Sequence, residues 1–230
     1  WITTGDGSEY GSCAVLLATG ADYRPLGVAG EEDFIGAGVH FCSTCDGPFY
    51  KDKSVVVVGG GNSAAEESLG LLRFAKDVTL LVRGDRLKAS KILVEKVMSR
   101  DRITVRYNTA VTKLTGDHQL ETVHIKDKIT GVEDQLGPDG LFVFIGQQPN
   151  TGFLKSSQVR LDPYGYILTG HHLAQDKMWQ ENRELGSLET SLPGVFAAGD
   201  VRVGSTNQVA SAAGEGATAS ILIRDYLNNL

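Results

Sequence analysis

The sequence predicts an α/β fold built on a doubly wound parallel sheet, and three observations carry that expectation. Val55-Val56-Val57-Val58 is an unbroken apolar run, as a central strand covered on both faces requires. It ends in Gly59-Gly60-Gly61-Asn62-Ser63-Ala64, a G-x-G-x-x-A pattern that suits a tight turn from strand to helix. Strand-like and helix-like segments then alternate with short connections, the order a right-handed parallel sheet accommodates.

Taken along the chain, Cys13–Ala18 reads as a strand closing at Thr19-Gly20, and Gly36–His40 as a connector. After the valine strand, 62–75 reads as a helix, because Ala65, Leu69, Leu72 and Ala75 recur at spacings of four, three and three along one face. Val78–Val82 is a strand, Ser90–Met98 a helix and Ile103–Tyr107 a strand, completing βαβαβ. Val111–Leu114 and Leu120–Ile125 form an antiparallel excursion turning at Gly116-Asp117, and Leu141–Ile145 is a further buried strand. His171–Leu188 is rich in charge and amides without a period, which predicts an exposed insertion. A strand returns at Val195–Ala198, meets Gly199-Asp200, and leads to a helix from about Gln208 to Tyr226 with Ala210, Ala213, Gly214 and Ala217 on one side.

Composition narrows the function classes. At 230 residues with a net charge of -6, the chain has no basic stripe to offset phosphate repulsion, so no nucleic-acid partner is expected. No apolar run approaches a membrane span, and the first residues have neither the basic nor the apolar stretch of a signal peptide. The absent starting Met suggests chain upstream of Trp1. Three cysteines make no disulfide framework in a chain of this size. Cys13 fits a small buried hydrophobe; Cys42 and Cys45, beside Asp46, Gly47 and Pro48, suit reversible dithiol chemistry in a reducing cytoplasm.

Two thiols three positions apart can close a small-ring disulfide where a helix begins, and Asp46 is placed to carry the proton a departing thiolate needs. Metal binding competes, since His40, Cys42 and Cys45 are three potential ligands, but a structural zinc site usually needs a fourth; inert packing is the third reading. In the glycine run, Gly59 permits the turn, Gly61 admits a phosphate to the backbone, and Ala64 permits close packing, while N–H groups from Asn62 and Ser63 onward open the helix towards that phosphate. At the tip of the second strand Arg83 is available for a 2′-phosphate, with Arg86 and Lys88 nearby, which favours NADP over NAD; Asp85 lies beyond the position of a ribose-binding acid.

Several segments in order across nearly the whole chain resemble the low-molecular-weight, flavin-containing thioredoxin reductases: Ala18–Ala21, Cys42–Tyr50, Val55–Glu67, Ala89–Leu93, Phe144-Ile145-Gly146 with Pro149-Asn150, and Gly194–Gly216. The resemblance implies two Rossmann-like nucleotide-binding domains. A discontinuous FAD domain would comprise 1–37 and 161–230, incomplete at its N-terminus, and an NADP domain carrying the cysteine pair would comprise 38–160. Thr19, Gly20, Gly199, Asp200, Gln208, Val209 and Ala210 match flavin-side positions, and Ile145 and Gly146 a further cofactor-contacting turn. Electrons would pass from NADPH through FAD to Cys45, with Cys42 attacking the disulfide of thioredoxin and Asp46 as acid/base. A cytoplasmic homodimer of the complete chain and a domain rotation are also implied.

Three departures qualify the resemblance. The family begins with a strand and a glycine-rich turn for the FAD pyrophosphate, and no such segment precedes Trp1, so these residues alone are expected to bind FAD poorly or not at all. Val82, Gly84 and Lys88 stand where the family's basic signature has His and two Arg, and Lys lacks the bidentate geometry of Arg. A disulfide reductase fed by another donor such as ferredoxin, or a non-enzymatic redox-sensing module, therefore stand as alternatives. The stretch from His171 to Leu188 is longer than in compact members and carries no assigned role.

Overall fold

Val55, Val56 and Val57 are each no more than 2% exposed because the strand they form has a neighbour on either side and a covered surface on both faces. In the computed structural model, residues 1–175 and 183–230 are described. They divide into two units: Trp1–Asp22 with Gln147–Leu230, and Tyr23–Gly146.

The chain opens with an antiparallel pair, β1 (Ile2–Thr3) and β2 (Glu9–Tyr10), followed by β3 (Val15–Leu17) and β4 (Ala21–Tyr23). The second unit contains β5 (Val39–His40), α1 (Ser43–Asp46), β6 (Ser54–Val58), α2 (Asn62–Leu71), β7 (Asp77–Leu81), α3 (Lys91–Met98) and β8 (Ile103–Arg106). It continues with β9 (Thr109–Gly116), β10 (Leu120–Asp127), β11 (Glu133–Leu136) and β12 (Gly140–Val143). The chain then returns to the first unit with β13 (Gln147–Pro149), α4 (His171–Gln175), β14 (Val195–Ala197) and α5 (Val209–Leu227).

The main sheet of the second unit is parallel, in the order β5-β12-β6-β7-β8. From β6 the chain winds through α2 to β7 and through α3 to β8, while β12 and β5 lie on the other flank of β6. The carboxyl end of β6 is thus a topological switch point, where open α/β sheets form a crevice. One sheet face packs on Ala64, Ala65, Leu71 and Val97 from the two helices. The other packs on Leu114, Leu120, Val123 and Ile125 of the antiparallel layer β11-β10-β9. Small residues let α2 lie close: Ala64, Ala65 and Ser68 are fully buried, and the Ser68 hydroxyl donates to the Ala64 carbonyl at 2.6 Å.

In the first unit β3 and β14 pair in parallel, Val15 opposite Val195 and Leu17 opposite Ala197. Leu17, Leu154, Val159, Ile167, Ala197 and Val201 form its larger apolar cluster. A second joins Leu188, Ala198 and Ala219.

The α/β class and the parallel βαβαβ order are as predicted. Three local expectations are corrected. Cys13 is exposed, because it precedes a three-residue strand that begins only at Val15. His171–Leu188 is not wholly exposed: Leu173 and Leu188 are buried, and the segment opens as α4, although 176–182 of that stretch lie outside the described residues. The connector ending at His40 becomes β5, paired with β12. The sequence reading also lacked β11, whose residues Glu133-Asp134-Gln135-Leu136 form an edge strand too polar to show apolar alternation.

Leu80 is fully buried in the cluster between β7 and the helices. Leu80→Ala is expected to lower unfolding free energy by about 2–5 kcal/mol through lost burial and a residual cavity. Urea denaturation followed by circular dichroism checks this, and a loss below about 1 kcal/mol would contradict the central placement of β7.

Candidate active site

Cys42 ends an extended stretch, and the chain then makes the single turn α1 followed at once by a 3-10 turn, Gly47–Tyr50. This brings the Cys42 and Cys45 Cα atoms to 5.3 Å, and the two sulfurs are joined as a disulfide. Cys42 caps the turn: the Cys45 N–H donates to Cys42 Sγ at 3.1 Å, and the Asp46 N–H to the Cys42 carbonyl at 3.1 Å. A helix does begin at the pair, but with four residues it supplies individual N–H donors rather than the field of a long helix.

Two ties fix the turn on its scaffold. The buried Ser43 hydroxyl donates to the Glu67 carboxylate of α2. A Cβ at Gly47 would lie 3.1 Å from the Phe74 ring and 3.3 Å from Leu71, so the backbone there seats directly on the C-terminal part of α2. Sequence reasoning did not single out Glu67, since a Ser–Glu pair 24 residues apart has no local spacing rule to reveal it.

Asp46 is part of a chain of polar groups. Its Oδ2 lies 3.3 Å from His40 Nδ1, and His40 Nε2 lies 2.6 Å from the Tyr50 hydroxyl. Phe142 walls the group, its ring centroid 5.3 Å from those of both His40 and Tyr50. Tyr50 packs against bare backbone, for a Cβ at Gly140 would fall 2.3 Å from its ring. Burial holds His40 below the ordinary imidazole value against an upward pull from Asp46, and burial with the charges of Asp46 and Asp139 pushes the Tyr50 hydroxyl up to about 12. In this structure both ring nitrogens of His40 have polar neighbours and the two sulfurs are bonded to each other. Among the described residues no group of three or more His, Cys, Asp or Glu side chains is placed to hold a metal.

The other sequence-predicted residues of this unit meet at the carboxyl edge of the sheet. Gly59 ends β6 at φ +154, where a Cβ would lie 2.3 Å from the Phe144 carbonyl oxygen and 2.7 Å from Ala64 Cβ. A Cβ at Gly61 meets nothing within 4 Å. The first turn of α2, with Asn62 and Ser63 exposed, has no side-chain cap. This combination suits a nucleotide pyrophosphate: open space before uncapped N–H groups, with the backbone drawn tight behind. The following loop is fastened to it, since the Lys88 N–H donates to the Gly60 carbonyl at 2.6 Å and the Ser90 N–H to Asn62 Oδ1 at 2.8 Å. Arg83, Arg86 and Lys88 are exposed on that loop, and Val82 is buried beneath it. Ile145 and Gly146 are exposed just past the end of β12 on the same edge.

In the first unit, Thr19-Gly20 and Gly199-Asp200 follow the carboxyl ends of the paired β3 and β14. The Thr19 hydroxyl donates to the Asn150 carbonyl at 2.8 Å, and the Asn150 amide returns a bond to the Thr19 carbonyl at 3.1 Å. Glu215 of α5 accepts from the Gly199 N–H at 2.7 Å and pairs with Arg202; against the effect of burial, these donors hold its carboxyl below the usual range. Asp200 accepts from the Ser205 hydroxyl at 2.7 Å. Gln208, Val209 and Ala210 are exposed at the start of the 19-residue α5, again without a side-chain cap. An acceptor carboxylate, an uncapped helix start and an exposed apolar Val209 suit the hydroxyls, phosphate and ring of a flavin nucleotide.

The model of the pyridine nucleotide-disulphide oxidoreductase family matches residues 2–216. The thioredoxin reductase of Treponema pallidum is 41% identical over 229 residues, covering 100% of this chain and 69% of its own length. That of Mycolicibacterium smegmatis is 43% identical over 208 residues, covering 90% of this chain and 62% of its own. The crystal structure of thioredoxin reductase from Streptococcus pyogenes superposes with a TM-score of 0.80 at 36% identity, covering 94% of this chain and 66% of that one. The chain thus spans about two thirds of the length of these proteins. By sequence, by fold and by its Cys42–Cys45 redox pair, the chain belongs to the low-molecular-weight, FAD-dependent thioredoxin reductase family of pyridine nucleotide-disulphide oxidoreductases.

Proposed function

We propose that the protein of which this chain is part reduces the disulfide of thioredoxin, drawing electrons from NADPH through FAD and the Cys42–Cys45 pair. The observation that carries this reading is the placement of the cysteine disulfide and an uncapped, glycine-cradled helix start on the same α2 scaffold. We assign 38–160 to NADP and 1–37 with 161–230 to FAD. Gly59, Gly61, Asn62, Ser63 and Ala64 would hold the pyrophosphate of NADP, with Ile145 and Gly146 beside it, and Arg83 and Lys88 would meet its 2′-phosphate. Thr19, Gly20, Gly199, Asp200, Gln208, Val209 and Ala210 would hold FAD. Bound FAD supplies the two electrons, taken from NADPH, that reopen the disulfide.

The chain's own residues account for the exchange that follows. With the pair reduced, the Cys42 thiolate attacks one sulfur of the thioredoxin disulfide, forming a mixed disulfide and releasing the other sulfur as a thiolate. Cys45 then loses its proton to Asp46 and attacks Cys42, so that the second thioredoxin sulfur departs and the Cys42–Cys45 bond re-forms. One dithiol is oxidised as one disulfide is reduced, and Asp46 passes its proton to a departing thiolate. A homodimeric assembly in a reducing cytoplasm completes the proposal: a dithiol that must be kept reducible suits such a compartment. No described helix is long and apolar enough to cross a membrane.

Cys42→Ser and Cys45→Ser are each expected to abolish NADPH-dependent reduction of thioredoxin by the full-length enzyme, and turnover surviving both changes would refute the electron path. Asp46→Asn should lower kcat by about a hundredfold, the lower range for loss of a general acid/base. Arg83→Ala should weaken the preference for NADPH over NADH about tenfold, the value of one charge-assisted bond. Steady-state kinetics with both nucleotides checks this, and an unchanged ratio would remove Arg83 from the 2′-phosphate site.

A further inference from the structure

We propose that His40 is a positioning residue for dithiol exchange: with Tyr50 donating to its Nε2, its Nδ1–H holds the Asp46 carboxylate against the turn that carries Cys42 and Cys45. The inference rests on the proposed thiol chemistry at this site and deepens it.

The partners favour one hydrogen placement. An ionised carboxylate only accepts, so Asp46 Oδ2, at an ion-pair distance of 3.3 Å from His40 Nδ1, attracts the ring when Nδ1 carries a proton. A neutral imidazole then has an acceptor at Nε2, and the Tyr50 hydroxyl at 2.6 Å must donate to it. Tyr50 is suited to that task because its hydroxyl, pushed up to about 12, keeps its proton through the neutral range. Burial favours the neutral ring, leaving Nε2 unprotonated. His40 itself is nearly enclosed, its side chain 10% exposed against 30% for Asp46.

Each member is fixed from behind. His40 is in register with Phe142 across β5 and β12, so the ring has a set origin and an apolar wall. Tyr50 lies on the bare backbone of Gly140, with the Lys53 ammonium 5.5 Å from its ring centroid. The titratable and charged groups facing His40 are therefore Asp46 from α1 and Tyr50 from the 3-10 turn, with Asp139 and Lys53 behind Tyr50. Asp46 follows Cys45 directly in the chain and is the group proposed to take its proton, and His40 sets where that carboxylate points.

The sign of the pH effect follows. Above the ordinary imidazole value of 6.5 His40 is neutral and the chain Tyr50→His40→Asp46 runs in one direction. Because burial depresses its value, this state persists somewhat below 6.5 and fails on further acidification, when Nε2 gains a proton and donates to the Tyr50 oxygen, whose own hydrogen must turn elsewhere.

Two measurements on the full-length, flavin-loaded enzyme test this. In the ¹⁵N-histidine NMR spectrum at pH 7.5, His40 should show the Nδ1–H tautomer, and Tyr50→Phe should raise the pH at which it titrates; an Nε2–H tautomer overturns the proposal without reference to activity. In thioredoxin reduction, His40→Phe should lower kcat about tenfold with KM for thioredoxin unchanged. His40→Asn, whose amide can still donate to Asp46, should recover part of that loss while lacking the wild-type inflection below pH 6.5. Variants that keep the wild-type kcat and pH profile overturn the proposal, as does a loss in KM alone. Should His40→Phe fail to fold, the tautomer and the Asn variant decide. Failure of the wild type to reduce thioredoxin would sink the functional reading instead, leaving the tautomer result to stand.

Discussion

The close approach of backbone to backbone at the end of β6 is the constraint on which the second unit depends. Gly59 passes the Phe144 carbonyl and the methyl of Ala64 with no room for a Cβ. That proximity brings the ends of β6 and β12 together at the switch point and lets α2 start directly above the sheet. The same helix then serves two sites. Its first turn opens towards phosphate, and six residues into it Glu67 anchors the cysteine turn through Ser43. At 1.5 Å per residue, ten residues make a strut of about 15 Å. Rigid side-chain packing beneath it, with Ala64, Ala65 and Leu71 wholly buried, keeps the two ends in fixed relation.

Glycine at 140 makes a similar allowance on the neighbouring strand. There the absent side chain gives room to Tyr50, and through Tyr50 to the orientation of His40. A main-chain gap on β12 thereby reaches a carboxylate beside the cysteines through two ring systems. Polar groups this enclosed are costly when partly satisfied, and here each ring nitrogen of His40 has its partner.

The parts legible in the sequence were those governed by local periodicity. The valine run, the glycine pattern and the alternation from Val55 to Arg106 are enough to set the class and winding order, because parallel strands and their helices have distinct periods. The cysteine pair and Asp46 were legible because one turn joins them. His40 and Tyr50 were not read as a pair: they meet across a turn and owe their contact to Phe142 and Gly140, far along the chain. Cys13 looked like core because its neighbours are apolar, yet an apolar neighbourhood does not say where a short strand starts. Leu173 and Leu188 showed the reverse, buried residues in a segment whose polarity suggested exposure.

The pairing of β3 with β14 has a consequence for how the chain acquires its structure. The two strands are separated in sequence by the entire second unit, so in an unfolded chain their meeting closes a very long loop, and long-range pairings are slow to form. From β6 to β8 the second unit is built from sequential βαβ steps, which need only short closures, and β12 then joins β5 and β6 across a longer separation within the same unit. Once it has formed, the Arg24 N–H donates to the Gly146 carbonyl at 3.1 Å and holds the unit's two ends side by side. The loop left for β3 and β14 to close is then far shorter than the sequence suggests. An insertion of this kind shortens the closure of the outer pair when the inner unit forms first.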